Sequence, residues 1–166
     1  MGDPKKPKKK YVTPKHPWRK EDLTRELQII GTYGLRNKRE LWRAEAELSR
    51  IRRQARLLLA APPEYRAKME SVLLNKLTRM GLLKENATLD DILSLKVEDL
   101  LERRLQTIVW RKGLAKTPYQ ARQMIVHRHV TVKGAVVTKP GYIVLKDEED
   151  TVAFRPDSPF AKGDNK

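Results

Sequence analysis

Ten lysine and arginine residues lie in residues 103–146, a stretch that contains no aspartate or glutamate. Guanidinium groups bind phosphate through two parallel hydrogen bonds, whereas ammonium groups act as point charges. Acidic residues are concentrated on both sides of the stretch, in residues 85–102 and 147–150. This separation favours a surface that faces phosphate over the alternative, a merely solvated surface. The candidate phosphate contacts are Arg103, Arg104, Lys116, Arg122, Arg128 and Lys133.

Polar side chains in the same stretch could contact the sugar of a nucleic acid. On a helix that begins at Pro118, Gln120 and Gln123 project away from the apolar positions. Such side chains can hydrogen-bond the 2′-hydroxyl group, which distinguishes RNA from DNA. The candidates are Thr117, Gln120, Gln123, His127 and His129.

Metal binding and catalysis are less well supported. His127 and His129 could hold a metal ion, but the site needs a third ligand, and residues 103–146 contain no cysteine, aspartate or glutamate. No serine has an adjacent histidine as a base, and no Gly-Lys-Ser/Thr phosphate loop occurs. We therefore expect a protein that is not an enzyme, with no catalytic residue, no metal, no cofactor and no small-molecule substrate.

Two further basic blocks precede this stretch. Residues 1–20 carry eight basic residues, one acid and four prolines, so this arm is predicted to be disordered when unbound. Within the arm, Trp18 could stack on a base. Residues 36–56 are predicted to form a basic helix. The candidate contacts on this helix are Arg36, Lys38, Arg39, Arg43, Arg50 and Arg53.

The composition restricts the kind of partner. The chain has 166 residues, of which 36 are basic and 21 acidic, so its net charge of +15 favours a polyanionic partner. The absence of cysteine excludes disulfides and cysteine-ligated metal sites. The longest apolar run, residues 57–61, is too short to span a membrane, and no secretory signal is recognisable. Nucleic acid is therefore favoured over a membrane. Because only 6% of the residues are aromatic, phosphate and shape recognition are favoured over base stacking.

Apolar periodicity predicts a small helical bundle in the first part of the chain. Leu41, Ala44, Leu48 and their continuation at spacings of three and four form one stripe on a long helix. We expect a short helix over residues 21–30 and a longer one over residues 97–112. The expected start and stop signals are Gly31, Asn37, Pro62, Gly81 and Thr88.

A change to a period of two predicts a small antiparallel sheet after the helix that Thr117 caps. Val130 and Val132 precede a Lys133-Gly134 turn, which is typical of a hairpin. Residues 142–145 and 151–154 are two further predicted strands, joined by an acidic turn at 147–150. The expected fold class is therefore α+β, with an N-terminal helical bundle and a helix–turn–helix packed on a small sheet.

The second half of the chain resembles a known RNA-binding module. Residues 114–125 read Leu-Ala-Lys-Thr-Pro-Tyr-Gln-Ala-Arg-Gln-Met-Ile, and His-Arg-His at 127–129 and Val-Thr-Val-Lys-Gly at 130–134 follow. Pro-Gly-Tyr-Ile-Val comes next, at 140–144. This order is similar to the module named after ribosomal protein S4, which recurs in several RNA-handling proteins.

The remaining chain resembles the archaeal and eukaryotic form of the ribosomal protein S4 family. Residues 33–43, Tyr-Gly-Leu-Arg-Asn-Lys-Arg-Glu-Leu-Trp-Arg, and residues 100–107, Leu-Leu-Glu-Arg-Arg-Leu-Gln-Thr, carry this resemblance. It implies four parts: a basic arm (1–20), a helical ribosomal-RNA-binding domain (21–102), an S4-type RNA-binding domain (103–155) and a tail (156–166). It further implies that the tail packs back on the first helices. The lack of a basic C-terminal extension favours the archaeal type.

The resemblance also implies a function. It suggests a primary binder of 16S-type ribosomal RNA, seated on a multi-helix junction of the 5′ domain, that nucleates assembly of the small subunit. Its expected place is the cytoplasmic ribosome, beside other small-subunit proteins and near the side where messenger RNA enters. Two alternatives remain: an RNA-modifying or tRNA-handling factor that uses the same module, and a general nucleic-acid compaction protein.

Overall fold

The structure is a computed structural model that describes residues 9–162. It has an α+β fold, as predicted, in which a helical domain is followed by a smaller domain with a three-stranded sheet. The helices are α1 (Lys20–Tyr33), α2 (Lys38–Leu59), α3 (Pro63–Arg79), α4 (Leu89–Ser94), α5 (Val97–Glu102), α6 (Leu105–Arg111), α7 (Pro118–Val126) and α8 (Lys146–Glu149). The strands are β1 (Val130–Val132), β2 (Ala135–Val136) and β3 (Ala153–Phe154), and a 3₁₀ helix covers Pro159–Lys162. Within residues 9–162, no helix is long and apolar enough to cross a membrane.

Helix α2 is the central element of the helical domain. The Asn37 side chain caps it by accepting a hydrogen bond from the backbone N–H of Glu40 at 3.2 Å. The predicted apolar stripe is buried along its whole length, from Leu41 to Leu58. This stripe packs against the other helices of the domain, so the predicted bundle and its main buried face are confirmed.

The first helix is longer than predicted. Gly31 lies inside α1, and the helix ends at Gly34, whose positive φ of 59° provides the left-handed residue that closes a helix. The helix continues because Tyr33, one turn beyond the expected end, is buried in the core. The predicted stop at Gly31 was therefore wrong by one turn.

The predicted helix over residues 97–112 is two helices, α5 and α6, with Arg103 and Arg104 between them. At the start of α6, the backbone N–H of Leu105 donates to the carbonyl of Tyr142 at 2.8 Å, and that of Gln106 donates to Pro140 at 3.2 Å. A segment distant in sequence thus satisfies donors that a continuous helix would have paired internally. This tertiary contact explains the break.

The sheet has the order β2-β1-β3, and both pairings are antiparallel. The predicted hairpin is confirmed: Lys133 and Gly134 have φ of 50° and 77°, and Val132 pairs with Ala135. The predicted strand at 142–145 is wrong, because this segment makes only an isolated bridge between Ile143 and Arg104. The predicted strand at 151–154 is shorter, as β3.

The acidic segment after this bridge is helical, not the predicted turn. Helix α8 covers Lys146–Glu149. Glu148 stabilises its start by accepting hydrogen bonds from the Leu145 backbone at 3.2 Å and the Tyr142 hydroxyl at 2.9 Å. A carboxylate in the first turn of a helix caps exposed N–H groups, which explains the glutamate at position 148.

Both chain termini contact nearby elements within the described residues. The Tyr11 ring stacks on Trp42 with centroids 6.1 Å apart, and Trp18 is 87% exposed. Phe160 packs edge-on against His129, with centroids 5.0 Å apart. Within the described residues, the tail therefore packs on the second domain, whereas contact with the first helices was expected. Residues 1–8 and 163–166 of the predicted arm and tail lie outside the described residues.

Candidate nucleic-acid interface

The two domains meet at a polar contact centred on Gln106. This side chain is 1% exposed, and its amide donates to the carbonyls of Tyr33 at 3.2 Å, Gly34 at 2.8 Å and Pro118 at 3.0 Å. A Cβ atom on Gly34 would lie 2.7 Å from that of Pro118, so only glycine permits this approach. The turn before α2 is thereby held against the start of α7.

Glu40 joins the same contact from α2. Its carboxylate accepts hydrogen bonds from Arg104 at 2.9 Å and from Arg122 at 2.6 Å. Burial raises the pKa of Glu40, but the hydrogen bonds from Arg122 and Arg104 outweigh burial and lower this pKa to about 2. Glu40 is therefore ionised at neutral pH and holds two arginines of the second domain. We call the side chains of Glu40, Arg104, Gln106 and Arg122 the interdomain contact.

Arg103 is also directed inward. Its guanidinium group donates to Glu149 at 2.6 Å and to the Val144 carbonyl at 3.0 Å. A Cβ atom on Gly81 would lie 2.8 Å from this guanidinium carbon. Arg103, Arg104 and Arg122 were expected on a phosphate-binding surface, but the structure uses them to hold segments of the fold together.

The acidic residues that flank residues 103–146 fold back onto this stretch. Glu102 pairs with Arg111 at 2.7 Å, Glu148 with Lys133 at 3.5 Å and Glu85 with Lys146 at 3.3 Å. The stretch contains no acid, but acids from outside it balance part of its charge. The positive surface is therefore smaller than the sequence suggested.

Six of the predicted basic contact residues are exposed and take part in no ion pair within residues 9–162. Three others are partly balanced: Lys38 by Glu26 at 2.9 Å, Arg50 by Glu47 at 3.0 Å, and Lys133 as given above. We call the six unpaired residues the cationic set. They are Arg36, Arg39, Arg43, Arg53, Lys116 and Arg128.

The interdomain contact brings cations of both domains near one another. Arg36 and Lys116 are each two residues from the close approach of Gly34 to Pro118. Arg43 lines a groove between the domains together with Lys139, an exposed lysine. Arg50 and Arg53 lie farther along α2 than Arg43, and each residue adds about 1.5 Å to that distance along the helix axis.

Arg128 and Lys133 flank β1 and share an unusual backbone. Both have positive φ, 66° and 50°, which is unfavourable for residues with a Cβ atom. Lys133 occupies the hairpin turn, and Arg128 closes α7, where the N–H of His129 donates to the carbonyl of Met124 at 3.0 Å. The fold thus places two basic side chains at positions where glycine is usual.

The predicted polar contacts divide into residues that bind other parts of the fold and residues that are exposed without such a partner among the described residues. Thr117 and Gln120 form the N-terminal cap of α7: the threonine hydroxyl accepts from the Gln120 N–H at 3.2 Å, and the Gln120 side chain accepts from the Lys116 N–H at 2.7 Å. His129 is half-buried against Phe160. Gln123 and His127 are exposed, so they are the members of this set best placed for a ligand.

The structure also brings Ser158 to His129, with the serine Oγ and the histidine Nδ1 3.1 Å apart. The serine is 3% exposed, and its hydroxyl accepts a hydrogen bond from the Phe160 N–H at 3.3 Å. This pair anchors the tail and is inaccessible to a substrate. Among the described residues, no group of three histidine, aspartate or glutamate side chains could hold a metal ion.

Sequence reasoning missed three residues of this region: Glu40, Gln106 and Lys139. Gln106 could have been noticed as a polar residue inside an apolar helical run, and Glu40 as a single acid among the basic residues 36–43. Lys139 is one of the ten basic residues of 103–146, and no local pattern distinguishes it from the others. Only the tertiary contacts show that Glu40 and Gln106 orient the two domains.

A basic helical domain joined to a small helix–turn–helix and sheet domain, with unpaired cations on both, defines a two-domain nucleic-acid-binding protein. The model described as "Ribosomal protein S4/S9 N-terminal domain" matches residues 4–102, and the "S4 domain" model matches residues 103–152. The chain belongs to the ribosomal protein S4 family.

Relatives along nearly the whole chain carry one name, "Small ribosomal subunit protein uS4". The chain is 60% identical to the protein from Hyperthermus butylicus over 162 residues, which is 98% of this chain and 92% of the relative. It is 57% identical to the protein from Ignicoccus hospitalis, over 98% of each chain. Identity to the Sulfolobus acidocaldarius protein is also 57%, over 96% of this chain and 92% of the relative. The expected archaeal type is confirmed.

Proposed function

We propose that this protein is a structural, non-enzymatic component of the small ribosomal subunit in the cytoplasm, where it binds ribosomal RNA and neighbouring ribosomal proteins. The observation that carries the proposal is the similarity, over nearly the full length, to proteins named "Small ribosomal subunit protein uS4". The two matched domains account for most of the chain.

The geometry supports recognition of folded RNA by charge and shape. Exposed guanidinium groups of the cationic set can each form two hydrogen bonds to one phosphate. Because the interdomain contact fixes the two domains, cations from both can bind one RNA fold without further ordering of the protein. Such pre-organisation lowers the entropic cost of binding.

We further propose the finer role that the family resemblance implies. The protein is a primary binder at a multi-helix junction of the 5′ domain of the small-subunit RNA, and it nucleates assembly there. It sits near the side where messenger RNA enters. The proposed RNA contacts are the cationic set with Lys38, Arg50, Lys133, Gln123 and His127.

Ultraviolet crosslinking in cell lysate tests the proposal against a tRNA-handling factor. We expect ribosomal RNA of the small subunit to dominate the crosslinked RNA. Crosslinks dominated by transfer RNA would support the alternative. Binding of duplex DNA as tight as that of folded ribosomal RNA would support a compaction protein, since charge alone would then determine affinity.

A further inference from the structure

The hairpin formed by α2 and α3 exposes an apolar face outside the cationic set. Single exposed apolar residues are common on protein surfaces, but contiguous ones mark interaction sites. Here they line one groove between the two helices. The exposed apolar side chains of this groove are Leu57, Tyr65, Met69 and Val72.

The groove is long enough for a short helix. Tyr65, Met69, Val72 and Lys76 follow one another at spacings of four, three and four, so they form a single stripe on α3. This stripe is about 16 Å long at the rise of an α-helix. Beyond Lys76 the groove continues between Arg79 and the apolar side chains of Ile143 and Leu145.

Among the residues that line the groove, positive charge is confined to one end. Lys76 and Arg79 are exposed, and neither takes part in an ion pair within residues 9–162. The opposite end, at Leu57 and Tyr65, is apolar. The groove therefore complements a segment with an apolar stripe and carboxylates near one end.

We propose that this groove binds an amphipathic α-helix of a neighbouring protein, with apolar side chains on Tyr65, Met69 and Val72 and carboxylates on Lys76 and Arg79. The proposal rests on the proposed function, which requires protein neighbours in the small subunit. Helix-in-groove recognition uses apolar anchors at this spacing. RNA fits the face less well, because aliphatic side chains give phosphate no hydrogen bond. A second copy fits less well too, since each copy carries a net charge of +15.

A photo-crosslinking residue at position 72 tests this proposal in small subunits reconstituted from purified ribosomal RNA and small-subunit proteins. The matched control places the same residue at position 27, because Leu27 on α1 is 61% exposed and Val72 is 64% exposed. We expect position 72 to crosslink to a protein segment that has an apolar stripe and acidic residues. We expect position 27 to give no crosslink to that segment.

Charge reversal then tests the chemistry of the pairing. Lys76→Glu should lower the yield of that crosslink about tenfold, and exchange of the facing carboxylate for lysine in the partner should restore it. The chain must first co-sediment with the small subunit; failure to do so contradicts the proposed function. Crosslinks from position 72 to RNA or to a second copy, or none in a subunit that has incorporated the chain, overturn the docking proposal.

Discussion

Arg122 shows how a residue that charge patterns assign to RNA can instead stabilise the fold. Its side chain is 22% exposed, and two hydrogen bonds of 2.6 and 3.1 Å join it to Glu40. The charge pattern of the sequence alone predicts that Arg122→Ala weakens RNA binding without lowering thermal stability. The structure reverses the second part of this expectation, because the substitution leaves the half-buried Glu40 carboxylate with Arg104 alone.

We therefore predict that Arg122→Ala lowers the free energy of unfolding by about 1–3 kcal/mol. Chemical denaturation monitored by circular dichroism measures this change. The control is Arg39→Ala, which removes an exposed arginine that has no ion pair within the described residues. It should change stability by less than about 0.5 kcal/mol. Equal stability of the two variants would show that the Glu40 pairing contributes nothing.

Arg128 permits the effects of side chain and backbone to be separated. Its φ of 66° is unfavourable by about 1 kcal/mol for any residue with a Cβ atom. We predict that Arg128→Gly is more stable than Arg128→Ala by about that amount. Because both substitutions remove the guanidinium group, both should weaken binding of small-subunit ribosomal RNA by about tenfold.

Filter-binding titrations and thermal unfolding of the two variants check this prediction. If Arg128 serves only the fold, Arg128→Gly will bind RNA as tightly as the unchanged protein. Strain retained at a basic, exposed residue would then have no functional counterpart.

At the residue scale, the sequence indicates which residues are basic but not which ones remain free. Thr117 is predicted as a helix cap because Pro118 follows it at the first helical position, and the partner that it binds in the structure, Gln120, is only three residues away. Arg122 and Glu40 are separated by 82 positions, so no local pattern reveals their pairing. The sequence thus predicts that the candidate site consists of basic and polar residues. Only the tertiary structure shows which of these residues are exposed.

At the scale of elements, Glu40 joins α2 to α7, so protonation of its carboxylate should change the free energy of unfolding. Burial and the hydrogen bonds from Arg122 and Arg104 together leave its folded pKa at about 2, below the ordinary 4.5. A lowered folded pKa contributes stability that is present above about pH 4.5 and is lost as the pH falls toward 2.

We predict that Glu40→Gln lowers the free energy of unfolding by about 2 kcal/mol at pH 7. This value is discounted from the full pKa shift because the Glu40 side chain is 22% exposed. The difference from the unchanged protein should shrink at pH 3, where the carboxylate advantage is partly lost. Urea denaturation at the two pH values measures it. A difference that is independent of pH would indicate that ionised Glu40 is not the stabilising species.

The same substitution separates charge from geometry in RNA binding. Glu40→Gln removes one negative charge and frees two arginines, so charge alone predicts tighter binding to any RNA. Loss of the interdomain contact predicts weaker binding to the cognate ribosomal RNA, because the two cationic surfaces are no longer held in register. We expect affinity for ribosomal RNA to fall several-fold and affinity for unrelated duplex RNA to rise, as measured by competition titrations. A parallel rise for both RNAs would contradict the positioning role.

The elements themselves were predicted best where local signals sufficed. The buried stripe of α2, the cap at Asn37 and the Lys133-Gly134 hairpin follow from neighbouring residues. The break between α5 and α6 and the loss of a strand at 142–145 share one cause. Residues 140–143 bind the start of α6, and no periodicity within either segment predicts this tertiary contact.

For the whole molecule, the arrangement of acids matters as much as the excess of bases. Glu40, Glu102 and Glu149 bind arginines within or between the domains. These ion pairs stabilise the fold, while the unpaired cations of the cationic set remain on the outside of both domains. A net charge of +15 is thus divided into an inner, balanced part and an outer part that RNA can neutralise.

This division predicts the salt dependence of RNA binding. The six cations of the cationic set alone give a slope of about −5 for log affinity against log salt, so raising salt from about 50 to 200 mM should weaken binding about a thousandfold or more. If only Lys116 and Arg128 of the second domain bound RNA, the same change would weaken binding only about tenfold. Titrations of small-subunit ribosomal RNA across this range distinguish the two cases. The double variant Arg39→Ala/Arg43→Ala is the control, because it removes two cations of α2 and leaves the second domain intact. A lowering of the slope by about two would place the helical domain on the RNA, and an unchanged slope would exclude it.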